Sequence, residues 1–87
     1  MKAQKKPVII DFHEYNGLKT VIRVWVSSFG DDFDELFINE PMSTLAVKTL
    51  EGTSYDIVAN RDVIIRGVKG EYYPCRKDIF HETYNII

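Results

Sequence analysis

The chain has 87 residues, 45% of them hydrophobic and 28% charged, with a net charge of −2. That is enough apolar material for one small globular domain spanning residues 1–87, and it excludes a disordered chain. It also excludes the global basic field that draws in nucleic acid, and no apolar run approaches the roughly 20 residues needed to cross a bilayer.

The basic start, Met1 to Lys6, precedes an apolar run, Pro7 to Ile10, that is too short for a signal-peptide core and meets Asp11 at once. The expectation is a cytoplasmic protein. Pro7 to Tyr15 reads as a first strand, and Asn16-Gly17 turns the chain. Over 18–29, Leu18, Val21, Ile22, Trp25 and Phe29 recur at helical spacing, whereas the β-branched run from Thr20 to Val26 favours a strand. The spacing decides for a helix, which Gly30 stops at C′.

Asp31 to Ile38 reads as one helical turn or a loop running into a short strand, with Asp31 or Asp32 as its cap and Pro41 closing the segment. From Thr44 onward the pattern is β. Leu45 and Val47 alternate with Lys48, and Glu51-Gly52 offers a hairpin turn. In Ser54 to Val58, Tyr55 and Ile57 face the core while Ser54 and Asp56 face water. Asn60 to Asp62 turns into a strand whose consecutive Val63, Ile64 and Ile65 predict cover on both faces. Lys69-Gly70 closes a hairpin, Glu71 to Tyr73 returns, and Pro74, with no amide proton, ends the ladder. Arg76 to Glu82 reads as a helical turn burying Ile79 and Phe80, and Tyr84 to Ile87 as a final edge strand. The expected fold is α+β, with one helix packed on a small, mostly antiparallel sheet, a meander or a partly closed barrel, and a short C-terminal helical turn.

Cys75 is the only cysteine, so one chain can form neither an internal disulfide nor an all-thiolate zinc site. A small domain without staples relies on its core or on self-association, which makes a homodimer a secondary expectation. Cys75 and His81 lie near each other, with Asp78 and Glu82 as nominal orienting groups. But neither a glycine-rich elbow nor an oxyanion-hole turn accompanies them, and a non-enzymatic protein is expected. His13, Cys75 and His81 lack zinc spacing, and the acidic run lacks the glycine and ligand periodicity of a calcium loop. No metal or cofactor is expected.

Two charge clusters stand out. Asp31, Asp32, Asp34, Glu35 and Glu40 crowd one segment, in which exposed Phe33 or Phe37 beside the carboxylates would mimic a nucleic-acid backbone and occupy a basic channel on a partner. The expected partner-binding residues are Asp31, Asp32, Phe33, Asp34 and Glu35. In the C-terminal third, Arg66, Tyr73, Arg76 and Lys77 form an alternative ligand-binding set, in which a tyrosine face and cations would hold a nucleotide. The plain alternative for both clusters is a solvated surface.

Three blocks resemble a family of small, functionally uncharacterised bacteriophage and prophage proteins. They are Lys5-Lys6-Pro7-Val8-Ile9-Ile10, Lys48-Thr49-Leu50-Glu51-Gly52, and Ile64-Ile65-Arg66-Gly67-Val68-Lys69-Gly70-Glu71-Tyr72-Tyr73-Pro74-Cys75, the last followed by Asp78-Ile79-Phe80 and Thr83-Tyr84. The chain departs from that pattern at Asn60-Arg61-Asp62, where a glycine usually precedes the aspartate. The resemblance implies a phage accessory protein that binds and disables a host protein, such as a defence nuclease of the CRISPR or restriction type. The runner-up is a nucleotide-sequestering module, and a virion or assembly component comes third.

Overall fold

A computed structural model describes residues 1–4, 7–49 and 51–87. Lys5 and Lys6 of the first family block and Leu50 of the second lie outside the described residues. The elements run β1 (Asp11–Glu14), α1 (Lys19–Ser27), α2 (Phe33–Leu36), β2 (Phe37–Asn39), β3 (Leu45–Lys48), β4 (Ser54–Ile57), β5 (Asp62–Arg66), β6 (Tyr72–Arg76) and α3 (Lys77–Thr83). The fold is α+β. Its strands make two three-stranded antiparallel sheets, β1-β5-β6 and β2-β3-β4, in place of a single meander, and they do not close into a barrel. No helix among the described residues is long and apolar enough to cross a membrane.

Strand β5 organises the molecule. Val63, Ile64 and Ile65 are all buried, as their consecutive apolar run predicts. Ile64 enters a main core with Tyr15, Ile22, Val26, Phe33, Phe37, Leu45, Val47, Ile57 and Tyr72. Val63 and Ile65 point the other way into a smaller core, with Phe80 of α3 and the half-buried Ile10, Phe12, Tyr73, Cys75 and Tyr84. The first sheet is therefore covered by α1 and the second sheet on one face, and by α3 and the terminal segments on the other.

Several expectations need correcting. The first strand begins at Asp11, not Pro7, and Val8 and Ile9 are exposed, with no strand paired to them among the described residues. Pro74 does not end the ladder, since β6 continues to Arg76 with Pro74 opposite Ile64. The Gly67 amide donates to Glu71 O (2.7 Å) and the Lys77 amide to Arg61 O (2.8 Å), which makes alternate pairs between them hydrogen-bonded. Ile64 and Pro74 then form a non-bonded pair, so the missing amide proton faces outward from an edge strand. Tyr55 lies opposite Val47 on the core side but remains 48% exposed, because β4 is an edge. Ile79 is 49% exposed while Phe80 alone of that pair is buried, and 84–87 form no strand.

The turn between β4 and β5 is held by a buried carboxylate. Asp62 accepts from the Val58 amide (2.8 Å) and from Arg61 Nε and Nη2 (both 2.9 Å), and Asn60 takes a positive φ of 63°. Removing it leaves the Val58 amide without its charged acceptor. Asp62→Ala should lower the unfolding free energy by about 2 kcal/mol in urea titration, and Arg61→Ala, which takes the cation from the carboxylate but keeps its bond to the Val58 amide, by less. Equal effects from the two would show that the ion pair, rather than the backbone bond, holds the turn.

Candidate functional site

Helix α1 divides its surface into three rows. Ile22 and Val26 are buried in the main core, and half-buried Trp25 packs against it. Lys19 and Arg23, one turn apart, reach toward the acidic segment: Lys19 Nζ donates to Asn39 Oδ1 (2.6 Å) and the Glu40 carbonyl, and Arg23 forks onto both Asp34 oxygens (2.8 and 2.9 Å). The third row is apolar and bare. Leu18, Val21 and Val24 are exposed, Val24 at 65%, with half-buried Trp25 beside them. The sequence pattern merged the two apolar rows into one face, and the signal it passed over was Val24 and Val26. With those two included, apolar residues occupy more than half the circumference, which is more than one core contact needs.

Between this row and β1 lies a shallow hollow of about 340 Å³ lined by His13, Thr20, Val21, Val24 and Trp25. The His13 ring lies 5.6 Å from that of Trp25, and its Nδ1 donates to the Glu14 carbonyl (2.6 Å).

The acidic segment is only partly free. Asp31 accepts a 2.7 Å hydrogen bond from the Tyr72 hydroxyl and lies 3.5 Å from Arg66 Nε, a buried nitrogen with no aligned acceptor among the described residues. Asp32 caps α2 by accepting from the Asp34 amide (3.0 Å). The Arg23 hydrogen bonds hold the Asp34 carboxyl below its ordinary range. Phe33 and Phe37 are not exposed beside these carboxylates. Both are 2% exposed and stack on each other at 4.9 Å, with the Arg23 guanidinium 4.5 Å from the Phe33 ring centre. Apolar burial overrode the charge pattern there. Asp32 and Glu35 point outward, and Glu35 forms no ion pair among the described residues.

The alternative set does not converge. Arg66 is opposite Tyr72 and Ile65 is opposite Tyr73, so Arg66 and Tyr73 lie on opposite faces of the sheet. Arg66 packs over Phe29 at 4.5 Å, Arg76 pairs with Asp78 (3.2 Å), and Lys77 pairs with Glu14 (3.4 Å). Tyr73 does border a cleft of about 270 Å³ with Tyr55, Tyr72 and Lys48, but Glu51 and Glu71 also line it and oppose a phosphate.

Cys75 is half-buried, and its thiol is pushed up by burial and by the charges of Asp62 and Asp78. His81 is exposed on α3, edge-on to Phe80. Among the described residues no three metal-ligating side chains come together. No protein-family model, curated protein or solved structure matches the chain.

Two tyrosines carry the largest perturbations. Burial, aided by the Asp31 hydrogen bond and charge, pushes Tyr72 up to about 12, and burial, aided by Tyr84, does the same for Tyr73. Folding thus disfavours their ionised forms. The stability this confers is whole below pH 10, where a free tyrosine titrates, and is lost as pH rises toward about 12. In a spectrophotometric base titration, Tyr72→Phe and Tyr73→Phe should each remove one late-titrating phenolate from the five tyrosines. All five titrating near 10 in folded protein would contradict the burial argument.

Proposed function

We propose that this chain is a non-enzymatic phage accessory protein that acts by binding a host protein stoichiometrically and blocking it, a defence nuclease being the partner class the sequence resemblance implies. The observation that supports a protein partner is the bare apolar row of α1, Val21 and Val24 with Leu18 at the cap, on a helix whose other two rows are already engaged. Contiguous apolar surface left uncovered and rimmed by polar groups is one mark of an interaction site.

The acidic expectation fits this reading in a narrower form. Asp31 and Asp34 neutralise arginines of the same chain, which leaves Asp32 and Glu35 to meet a basic partner. Asp32 caps α2 and Glu35 lies within it, on either side of Asp34, which Arg23 of α1 holds. A partner laid over α1 would meet an apolar strip and then a pair of carboxylates.

The test follows from that division. Asp32→Asn with Glu35→Lys removes the outward charge but keeps an N-cap side chain, and Val24→Lys charges the bare row without touching the core. Tagged parent protein should retain a host protein at equal stoichiometry from a bacterial lysate. Val24→Lys should abolish that capture and the double substitution should weaken it, with circular dichroism melting unchanged for both. Capture that survives Val24→Lys at full strength would refute the α1 surface.

A further inference from the structure

The ladder between β1 and β5 determines which backbone groups of β1 face outward. The Tyr15 amide donates to Asp62 O (3.3 Å), one step beyond the Glu14·Val63 pair. In antiparallel alternation the bonded pairs are then His13·Ile64 and Asp11·Arg66, and the unbonded pairs are Phe12·Ile65 and Glu14·Val63. The amides and carbonyls of Phe12 and Glu14 therefore point away from β5, toward an edge that no strand covers among the described residues. His13 Nδ1 already occupies the Glu14 carbonyl. What remains is the Phe12 amide, the Phe12 carbonyl and the Glu14 amide.

Two features flank this edge. On the α1 face lies the hollow of His13, Val21, Val24 and Trp25. Carboxylates stand at both ends of the strand: Asp11 is exposed and forms no ion pair among the described residues, and Glu14 meets only Lys77 at 3.4 Å. A second copy is a poor occupant. Outward-facing residues pair only with outward-facing residues, so β1 against itself sets Phe12 opposite Phe12 or opposite Glu14, and neither register brings a lysine or arginine opposite Asp11 or Glu14.

From this geometry we infer that the outer edge of β1, with the α1 hollow beside it, docks an extended segment of the partner protein in which two adjacent apolar residues lie between two basic ones. The inference rests on the protein-binding reading above and names the chemistry of the bound segment. An added antiparallel strand takes its affinity from main-chain hydrogen bonds and its specificity from alternate side chains. Here one apolar side chain sits opposite His13, over the hollow, and the other opposite Phe12 on the α3 face. The flanking Lys or Arg residues sit opposite Asp11 and Glu14.

Trp25 is the only tryptophan and lines the hollow, so its emission reports occupancy directly. The probe is a short peptide with a Lys-Val-Leu-Arg centre, compared with a Glu-Val-Leu-Glu version and with the basic peptide N-methylated at both central residues. The basic peptide should shift Trp25 emission saturably and move the Phe12 and Glu14 amide resonances. N-methylation should weaken binding about fivefold to tenfold, and the acidic version should not bind. Equal binding by the N-methylated or acidic peptide, or no response to any of the three, overturns the proposal.

Two protein variants separate this failure from failure of the broader reading. Glu14→Pro removes an outward amide at an edge position that tolerates proline, and Asp11→Lys reverses a charge without touching the backbone. A captured host protein lost on both supports the edge. One that survives both but is lost on Val24→Lys overturns the edge and leaves the protein-binding reading standing.

Discussion

An aromatic row closed at each end by an arginine sets the arrangement of the main core. Arg23 lies over Phe33, Phe33 stacks on Phe37, Phe37 meets Tyr72 at 5.6 Å, Tyr72 meets Trp25 at 5.7 Å, Trp25 meets Phe29 at 5.6 Å, and Arg66 lies over Phe29. The row joins α1, α2, β2, β5 and β6, so it ties both sheets to both helices of that face. Guanidinium groups suit its ends because they are weakly hydrated and stack on ring faces. A cation held against a core needs a counter-charge, and each end has one from the same short segment: Asp34 for Arg23 and Asp31 for Arg66.

This pairing gives the acidic cluster two separate duties. Asp31 also accepts from Tyr72, which satisfies a hydroxyl that would otherwise be buried without a partner. Asp32 satisfies an amide at the start of α2, a helix too short to persist on its own. Only the charge left over from these duties is available to anything outside the chain. Reversing all four carboxylates at once would therefore unfold the segment as well as discharge it, and such a variant would report on stability before it reported on binding.

Local signals were legible in the sequence wherever they act locally. A helix within 18–29, found at Lys19–Ser27, a cap at Asp31 or Asp32, found at Asp32, the turns at Gly17, Gly52 and Gly70 and the two-sided burial of Val63 to Ile65 all follow from spacing or from backbone preference. Long-range pairing was not legible. Asp31 finds Tyr72 across 41 positions, and nothing near either residue announces the other. The split into two sheets has the same origin, because β1 passes over the next three strands to pair with β5. Pro74 misled because a proline ends a central strand but is accommodated on an edge, and edge position is a property of the assembled sheet. The bare row of α1 was half legible: the residues were there, but a single-face template absorbed them.

The make-up of α1 bears on why that row stays bare. The helix has no side-chain cap at Leu18, no acid in its first turn and no base in its last, and Thr20, Val21, Ile22, Val24 and Val26 are β-branched. Such a segment has little helical tendency of its own, and it is helical because Ile22 and Val26 are buried and Lys19 and Arg23 are tethered. Valines on the outer row do nothing for the isolated helix that alanine or glutamate would not do better. Their value would lie in contact, and among the described residues both stay exposed. A partner covering Val21 and Val24 would bury apolar surface and also hold in place a helix that depends on its surroundings, so binding would be coupled to folding stability through α1.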